Sequence, residues 1–498
     1  MTKILITVFV ALTFIGCSQK KNEKKKMNLL FIWTDQQRFD TMKAYGNDKI
    51  KVPNLNKLAE KSIVFLKAYV TQPVCTPSRS SVMTGLYPHT SGCVENNIPL
   101  KQETKTLPEL INDSDYKTAY MGKWHLGDEV FAQHGFDEWY ATEDGYNNYY
   151  SSTHDKNTKS AYYHWLIKKG IKPDSDDEFS RSFASNLPLD LGKPKFLEEK
   201  AIEFLEKNKD NPFILYVNFL EPHSPFSSTL NDYHNLEDLI LPEDKTVFDS
   251  LTYRNMLRKL SKDGIKTDEV PDFVRRYWGL VSKVDMSVGN ILNKLKELGL
   301  EENTLIVYTS DHGEMLGSHG FTAKRYAYDE SSHIPLLIKL PGEQSQRFIK
   351  KPVSQIDIVP TLIDYMGYKT DAPLQGKSLS NVLNGGELKE NYVFFEMAPL
   401  IGILKENKIT EDILDKTHLS RNEAHEILYA HYRVVVSPDG WKMVVSDKDK
   451  NELFNLNSDP DEYENLYYRG QNSEVIKRLS EKLINWQKET GDSLTLRF

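Results

Sequence analysis

The sequence predicts an α/β fold. Three observations carry that expectation: short apolar runs of strand length, helical periodicity between them, and chemically active residues just past several of the runs. Leu29-Leu30-Phe31-Ile32-Trp33 is a near-continuous apolar run, as expected for a strand buried on both faces. Residues 117–121 form a weaker strand candidate, and residues 213–219 and 305–308 form strong ones. Ahead of the last run, Val284, Val288, Ile291, Leu292, Leu295 and Leu298 keep helical spacing, and Gly299 stands where the helix should stop.

Each of the four runs ends in polar, chemically capable residues. The first leads into Thr34-Asp35-Gln36, the second into Gly122-Lys123-Trp124-His125, the third into Glu221-Pro222-His223 and the fourth into Ser310-Asp311-His312-Gly313. Open α/β sheets bind ligands outside the carboxyl ends of their strands. One such residue could be an ordinary surface group; the recurrence in one phase predicts a single polar site. After about residue 385 the texture changes. Residues 400–430 are polar and read as a helical insertion, residues 432–436 and 441–445 read as a hairpin turning at Pro438-Asp439-Gly440, and residues 475–486 read as a closing amphipathic helix. The expected division is a main domain over 28–385 and a smaller C-terminal α+β subdomain over 386–498.

The chain has 498 residues and a net charge of −8, which argues against nucleic acid as a partner. Three cysteines cannot form a disulfide framework in a chain of this size, so each needs its own account. Lys3 precedes an apolar run over 4–16, the layout of a signal peptide (1–16) that is too short to span a bilayer. Phe14-Ile15-Gly16-Cys17 resembles a bacterial lipobox, which makes Cys17 the expected lipidation site and 17–27 a lysine-rich tether; an ordinary cleaved signal is the alternative. The implied protein is an exported bacterial lipoprotein in the periplasm or at the outer-membrane or cell surface, touching membrane by its lipid anchor only. Cys93 has no assigned role beyond that of a small buried residue.

Cys75-Thr76-Pro77-Ser78-Arg79 is the most specific feature. Pro77 suits the first turn of a helix that Ser80 to Leu86 can continue, placing Cys75 at a helix N-terminus where an anion is favoured. A cysteine there would be reactive. The pentapeptide resembles the Cys-x-Pro-x-Arg signature of type I sulfatases, in which a formylglycine-generating enzyme converts the cysteine to formylglycine. The resemblance runs from about Asn28 to the C-terminus, through Gly85-Leu86-Tyr87-Pro88-His89, the Gly122–Gly127 and His134–Glu138 segments, Pro222-His223-Ser224-Pro225, Ser310–Gly313, Gln355–Thr361 and Glu452–Leu456. It implies an alkaline-phosphatase-like fold, a large mixed β-sheet flanked by helices with a smaller C-terminal subdomain.

The resemblance also implies a mechanism. One hydroxyl of hydrated formylglycine attacks sulfur and releases the alcohol; loss of the other hydroxyl's proton then expels sulfate. Cys75 would be the precursor, Arg79 and Lys123 would hold the diol, and His125 would take the proton. His223 and Lys324 match positions that meet the sulfate and the departing oxygen, with His223 favoured as proton donor; Lys324 could instead be a solvated surface lysine. Asp35, Gln36, Asp311, His312 and residue 75 match the metal positions, with Gln36 standing where a second aspartate is usual. Calcium is the family default; the histidine shifts weight toward manganese, and magnesium is a further option. His89 and His134 read as structural, and His319 is ambiguous.

Location and family together imply a sulfated extracellular glycan, for example ulvan, as substrate. Two alternatives stand: a phosphonate monoester or phosphodiester hydrolase of the same superfamily, in which the Gln36 and His312 variation occurs, and a non-catalytic glycan-binding lipoprotein. Tyr146, Tyr149, Tyr150, Tyr162, Tyr163 and Trp165 form an aromatic cluster that reads either as a loop lining a sugar subsite or as a loop packed on the core.

Overall fold

The computed structural model describes residues 25–175, 177–243, 245–261 and 266–498. The signal segment, Cys17 and most of the tether therefore lie outside the described residues. An eight-stranded mixed sheet forms the centre, in the order Arg347–Ile349, Ile63–Phe65, Leu336–Lys339, Thr304–Ser310, Asn28–Asp35, Phe213–Pro222, Lys117–Gly122, Glu138–Tyr140. The four runs read from the sequence are the adjacent parallel strands at its middle. Three of them extend beyond the apolar run into neighbouring polar residues, and the Lys117–Gly122 strand adds only Gly122.

Alternation along these strands builds two cores. Leu30 and Ile32 face a cluster shared with Phe196, Leu197, Val284, Val288 and Ile291 of the Lys193–Lys207 and Val270–Glu297 helices. Leu29, Phe31 and Trp33 face the other side, against Val82 and Met83 of the Cys75–Thr84 helix and Val359 and Leu362 of the Ile358–Tyr365 helix. The result is three layers with the strand ends open along one edge.

Downstream, Val393–Met397, Tyr432–Val436, Trp441–Ser446 and Glu452–Asn455 form a separate four-stranded antiparallel sheet. The Ser473–Thr490 helix covers one face through Leu479, Leu483 and Trp486. The polar stretch at 400–430 folds as two short helices, Glu411–Thr417 and Arg421–Leu428, around a cluster that includes Leu257. Among the described residues no helix is long and apolar enough to cross a membrane.

Candidate active site

The parallel register brings the polar residues together. Thr34 pairs with Ser310 and Asp35 with Pro222, while Gly122 pairs with Asn218, so Asp35, Lys123, His223 and Asp311 leave the sheet at one edge. Gly122 makes the exit of its strand possible: its φ is +105°, and a Cβ there would sit 1.8 Å from the Asn218 carbonyl oxygen. The Cys75–Thr84 helix meets this edge with its first turn, and all ten of its residues are buried.

At the centre lies Cys75. Its Sγ is 3.3 Å from His312 Nε2, 3.8 Å from Asp35 Oδ1 and 3.8 Å from Lys123 Nζ, and it accepts from Lys324 Nζ at 2.9 Å. Arg79, one turn along, is fully buried. Its Nε donates to Asp311 Oδ2 at 3.0 Å and its Nη2 to Asp35 Oδ2 at 2.9 Å, so the planar fork spans both carboxylates. The guanidinium also lies 4.8 Å over the Trp33 ring. Lys123 Nζ donates to Asp35 Oδ2 at 2.6 Å. Lys324 is thus brought to the centre, not left as a solvated surface lysine.

The charges are arranged to oppose burial. Burial and the nearby Cys75 push the Asp35 carboxyl up, but the Lys123 and Arg79 charges outweigh them and hold it well below the usual carboxylate range. Burial likewise resists ionisation of the Cys75 thiol, and the Lys123 and Lys324 charges overcome it. Asp311 moves the other way: burial and the neighbouring Asp35 raise it. Burial and Lys123 depress His125 to about 3, and burial and Lys324 depress His223 to about 4, so both imidazoles are neutral near pH 7.

The donor set suits a divalent cation. One donor atom each from Asp35, Cys75, Asp311 and His312 lies within 4.8 Å of the others, all buried. The partner atoms of these groups are already fixed. His312 Nδ1 donates to the Gly313 carbonyl at 2.9 Å, which leaves the Nε2 lone pair facing the cluster. Asp35 Oδ2 takes Arg79 and Lys123 while its Oδ1 faces His312 at 3.7 Å. Gln36 stands beside this set: its Oε1 accepts from Lys324 at 2.9 Å and its Nε2 donates to Glu314.

Several supporting residues have no signature in the sequence. Glu129 accepts from the amides of Trp124 (2.8 Å) and His125 (2.6 Å), and His125 itself is left-handed at φ 58°. Asn97 Oδ1 is 2.9 Å from His125 Nε2, which fixes the ring. Arg254, fully buried, donates from Nη2 to the Arg325 carbonyl at 3.2 Å and from Nη1 to the Ala398 carbonyl at 2.9 Å, anchoring the loop that carries Lys324 to the C-terminal unit.

The aromatic cluster divides. Tyr162, Tyr163 and Trp165 lie on an Ala161–Lys168 helix, where Tyr162 and Tyr163 are buried, and Tyr150 is buried as well. This corrects the reading of the cluster as one loop: an aromatic face turned inward on a helix is core. Tyr149 is 42% exposed. Tyr146 is the member that reaches the centre, its ring 4.4 Å from that of His125 and its hydroxyl accepting from Arg181 at 2.8 Å. His89 bonds Glu396 (2.7 Å) and the Thr490 carbonyl (3.2 Å), tying its segment to the C-terminal unit. His134 packs against Trp124, and His319 stacks on Tyr328 at 4.0 Å.

Comparison with known proteins gives the family. The sulfatase family model matches residues 27–368, well over half of the chain. The chain belongs to the sulfatase family. It is a sulfuric ester hydrolase by that membership, with the alkaline-phosphatase-like fold that the motifs imply. An ulvan-active sulfatase of Formosa agariphila is 29% identical over 418 residues, covering 80% of this chain and 74% of that protein. An N-acetylglucosamine-6-O-sulfatase of Bacteroides thetaiotaomicron is 25% identical, covering 98% and 91%. A phosphonate monoester hydrolase from Silicibacter pomeroyi shares the fold, with a TM-score of 0.76 at 21% identity over 94% of this chain and 96% of that one.

Proposed function

We propose that this sulfatase is exported, tethered through Cys17 after loss of residues 1–16, and removes sulfate from an extracellular sulfated polysaccharide such as ulvan or from its oligosaccharides. Residues 28–385 form the catalytic unit and 386–498 the C-terminal subdomain in this reading. The observation that carries it is the position of Cys75, buried at a helix start with its sulfur facing Asp35, His312, Lys123 and Lys324. Conversion of that side chain to formylglycine by a maturation enzyme puts an oxygen nucleophile at the same point.

Roles follow from contacts. Arg79 and Lys123 hold the Asp35 and Asp311 carboxylates and orient the diol. A divalent cation, calcium in this proposal, held by Asp35, Asp311, His312 and residue 75 with Gln36 alongside, would gather the sulfate oxygens and withdraw their charge. His125, neutral and fixed by Asn97, accepts the hydroxyl proton that leads to sulfate release. Lys324 supplies positive charge at the departing oxygen. His223 is neutral in the free site, so it donates to that oxygen only after a bound sulfate ester raises it. The Tyr146 ring, beside His125, offers a face for the sugar ring that bears the ester.

A phosphonate or phosphodiester hydrolase is the second reading, favoured by Gln36 beside the cluster and His312 within it. Sulfate release from defined sulfated oligosaccharides, run beside phosphonate and phosphodiester substrates, tests the choice. Faster turnover of a sulfate ester is expected; a phosphonate or phosphodiester turned over far faster than every sulfate would overturn it.

A further inference from the structure

Residue 75 is encoded as cysteine, so the chain before conversion offers a thiol to the cluster. The spacing of the donors there is specific. Cys75 Sγ is 3.3 Å from His312 Nε2 and 3.8 Å from Asp35 Oδ1, while His312 Nε2 is 3.7 Å from Asp35 Oδ1 and 3.5 Å from Asp311 Oδ1. Zinc bonds of about 2.3 Å to sulfur and about 2.0 Å to nitrogen and oxygen make tetrahedral edges of about 3.3–3.6 Å. Four of the six separations, at 3.3–3.8 Å, lie near those edges, and all four donor atoms lie within 4.8 Å of one another.

The surrounding bonds fit the same ion. Metal-bound imidazoles normally donate their other nitrogen to a carbonyl or carboxylate, and His312 Nδ1 donates to the Gly313 carbonyl. Arg79 and Lys123 occupy Asp35 Oδ2, and Arg79 occupies Asp311 Oδ2, so each carboxylate turns its other oxygen toward His312. Lys324 donates to the sulfur at 2.9 Å, a contact that favours the thiolate a metal would bind.

The geometry points to a second metal state: the unconverted chain binds zinc or a zinc-like transition ion through Cys75, His312, Asp35 and Asp311. On binding, the sulfur bonds the metal as a thiolate, and any proton still on it passes to solvent. Soft thiolate and imidazole donors favour such an ion over calcium. Conversion of residue 75 to an oxygen donor removes the one soft ligand, leaving a set suited to a hard cation. The chemical state of one side chain thereby selects the metal, and chain that escapes conversion is held in an inert zinc form. None of this depends on which ester the converted enzyme hydrolyses.

The test uses full-length protein from a host without converting activity, stripped of metal by chelation. Titration with Co²⁺ should give one equivalent with a sulfur-to-cobalt charge-transfer band and the visible bands of a tetrahedral site. Zn²⁺ should displace the cobalt stoichiometrically, and Ca²⁺ at about 100-fold excess should not. Cys75→Ser should abolish the charge-transfer band. X-ray absorption of the zinc-loaded unconverted protein provides a second readout, with one sulfur neighbour at about 2.3 Å expected. Absence of a sulfur neighbour, persistence of the band in Cys75→Ser, or displacement of zinc by calcium at equal concentration would overturn the proposal.

Discussion

The two halves of the site are built differently. One half, Asp35, Cys75, Arg79, Asp311 and His312, sits on strand ends and one helix start, and each residue is at most 1% exposed. The other half, His223, Lys324 and Tyr146, rides on loops and is partly exposed. The Lys324 loop bends through left-handed backbone at Leu316, His319, Ala323 and Arg325, none of them glycine, and depends on Arg254 and Glu314 for its shape. In the proposed function the sheet half would fix the nucleophile and the cation, and the loop half would meet the departing group and the sugar. Rigid chemistry and adjustable specificity would then be separated within one site.

Substitutions in the sheet half should abolish function outright. Cys75→Ala would remove the proposed nucleophile, and sulfate-ester turnover is expected to fall on the order of 10⁴-fold or more, measured by sulfate release. Retention of a tenth of the activity would break the assignment. Arg79→Met should cost ~3–5 kcal/mol of stability in urea unfolding, because two buried carboxylates lose their shared cation. In the loop half, Lys324→Ala should lower kcat by about 10²–10³-fold on sugar sulfates, whose alkoxide leaving groups need charge most, and by less on an aryl sulfate.

A pH series sharpens the contrast further. His125 is depressed from 6.5 to about 3 and His223 from 6.5 to about 4. Below pH 6.5 the unfolded chain binds protons that the folded site refuses, so stability is full above that value and falls as the pH drops toward 4. His125→Gln should flatten this acid limb in urea midpoints taken from pH 7 down to 4. The smallest effect is expected at the sugar side: Tyr146→Ala should reduce kcat/KM on oligosaccharides by about 10-fold, the loss of one aromatic contact. Equal loss with a small aryl sulfate would assign Tyr146 to the His125 ring instead.

The same division explains how much of the site is legible in the sequence. Asp35, Lys123, His223 and Asp311 come just after apolar runs, and a parallel sheet necessarily delivers such residues to one edge. Pro77 and the run after it mark the helix that presents Cys75. Glu129, Asn97 and Arg254 leave no trace, because their contacts are to backbone amides, carbonyls or a distant ring and keep no period. The aromatic cluster misleads for a related reason: composition shows tyrosines together, but the Ala161–Lys168 helix turns two of them inward. Tyr146 stays at the site, placed by contacts between loops that spacing does not encode.

The proposed chemistry turns on the state of residue 75, which mass spectrometry of the native protein reads out. The peptide carrying residue 75, isolated from the organism that makes this protein and treated with a hydrazide, should show an aldehyde at that position. A free thiol there in fully active enzyme would contradict that chemistry.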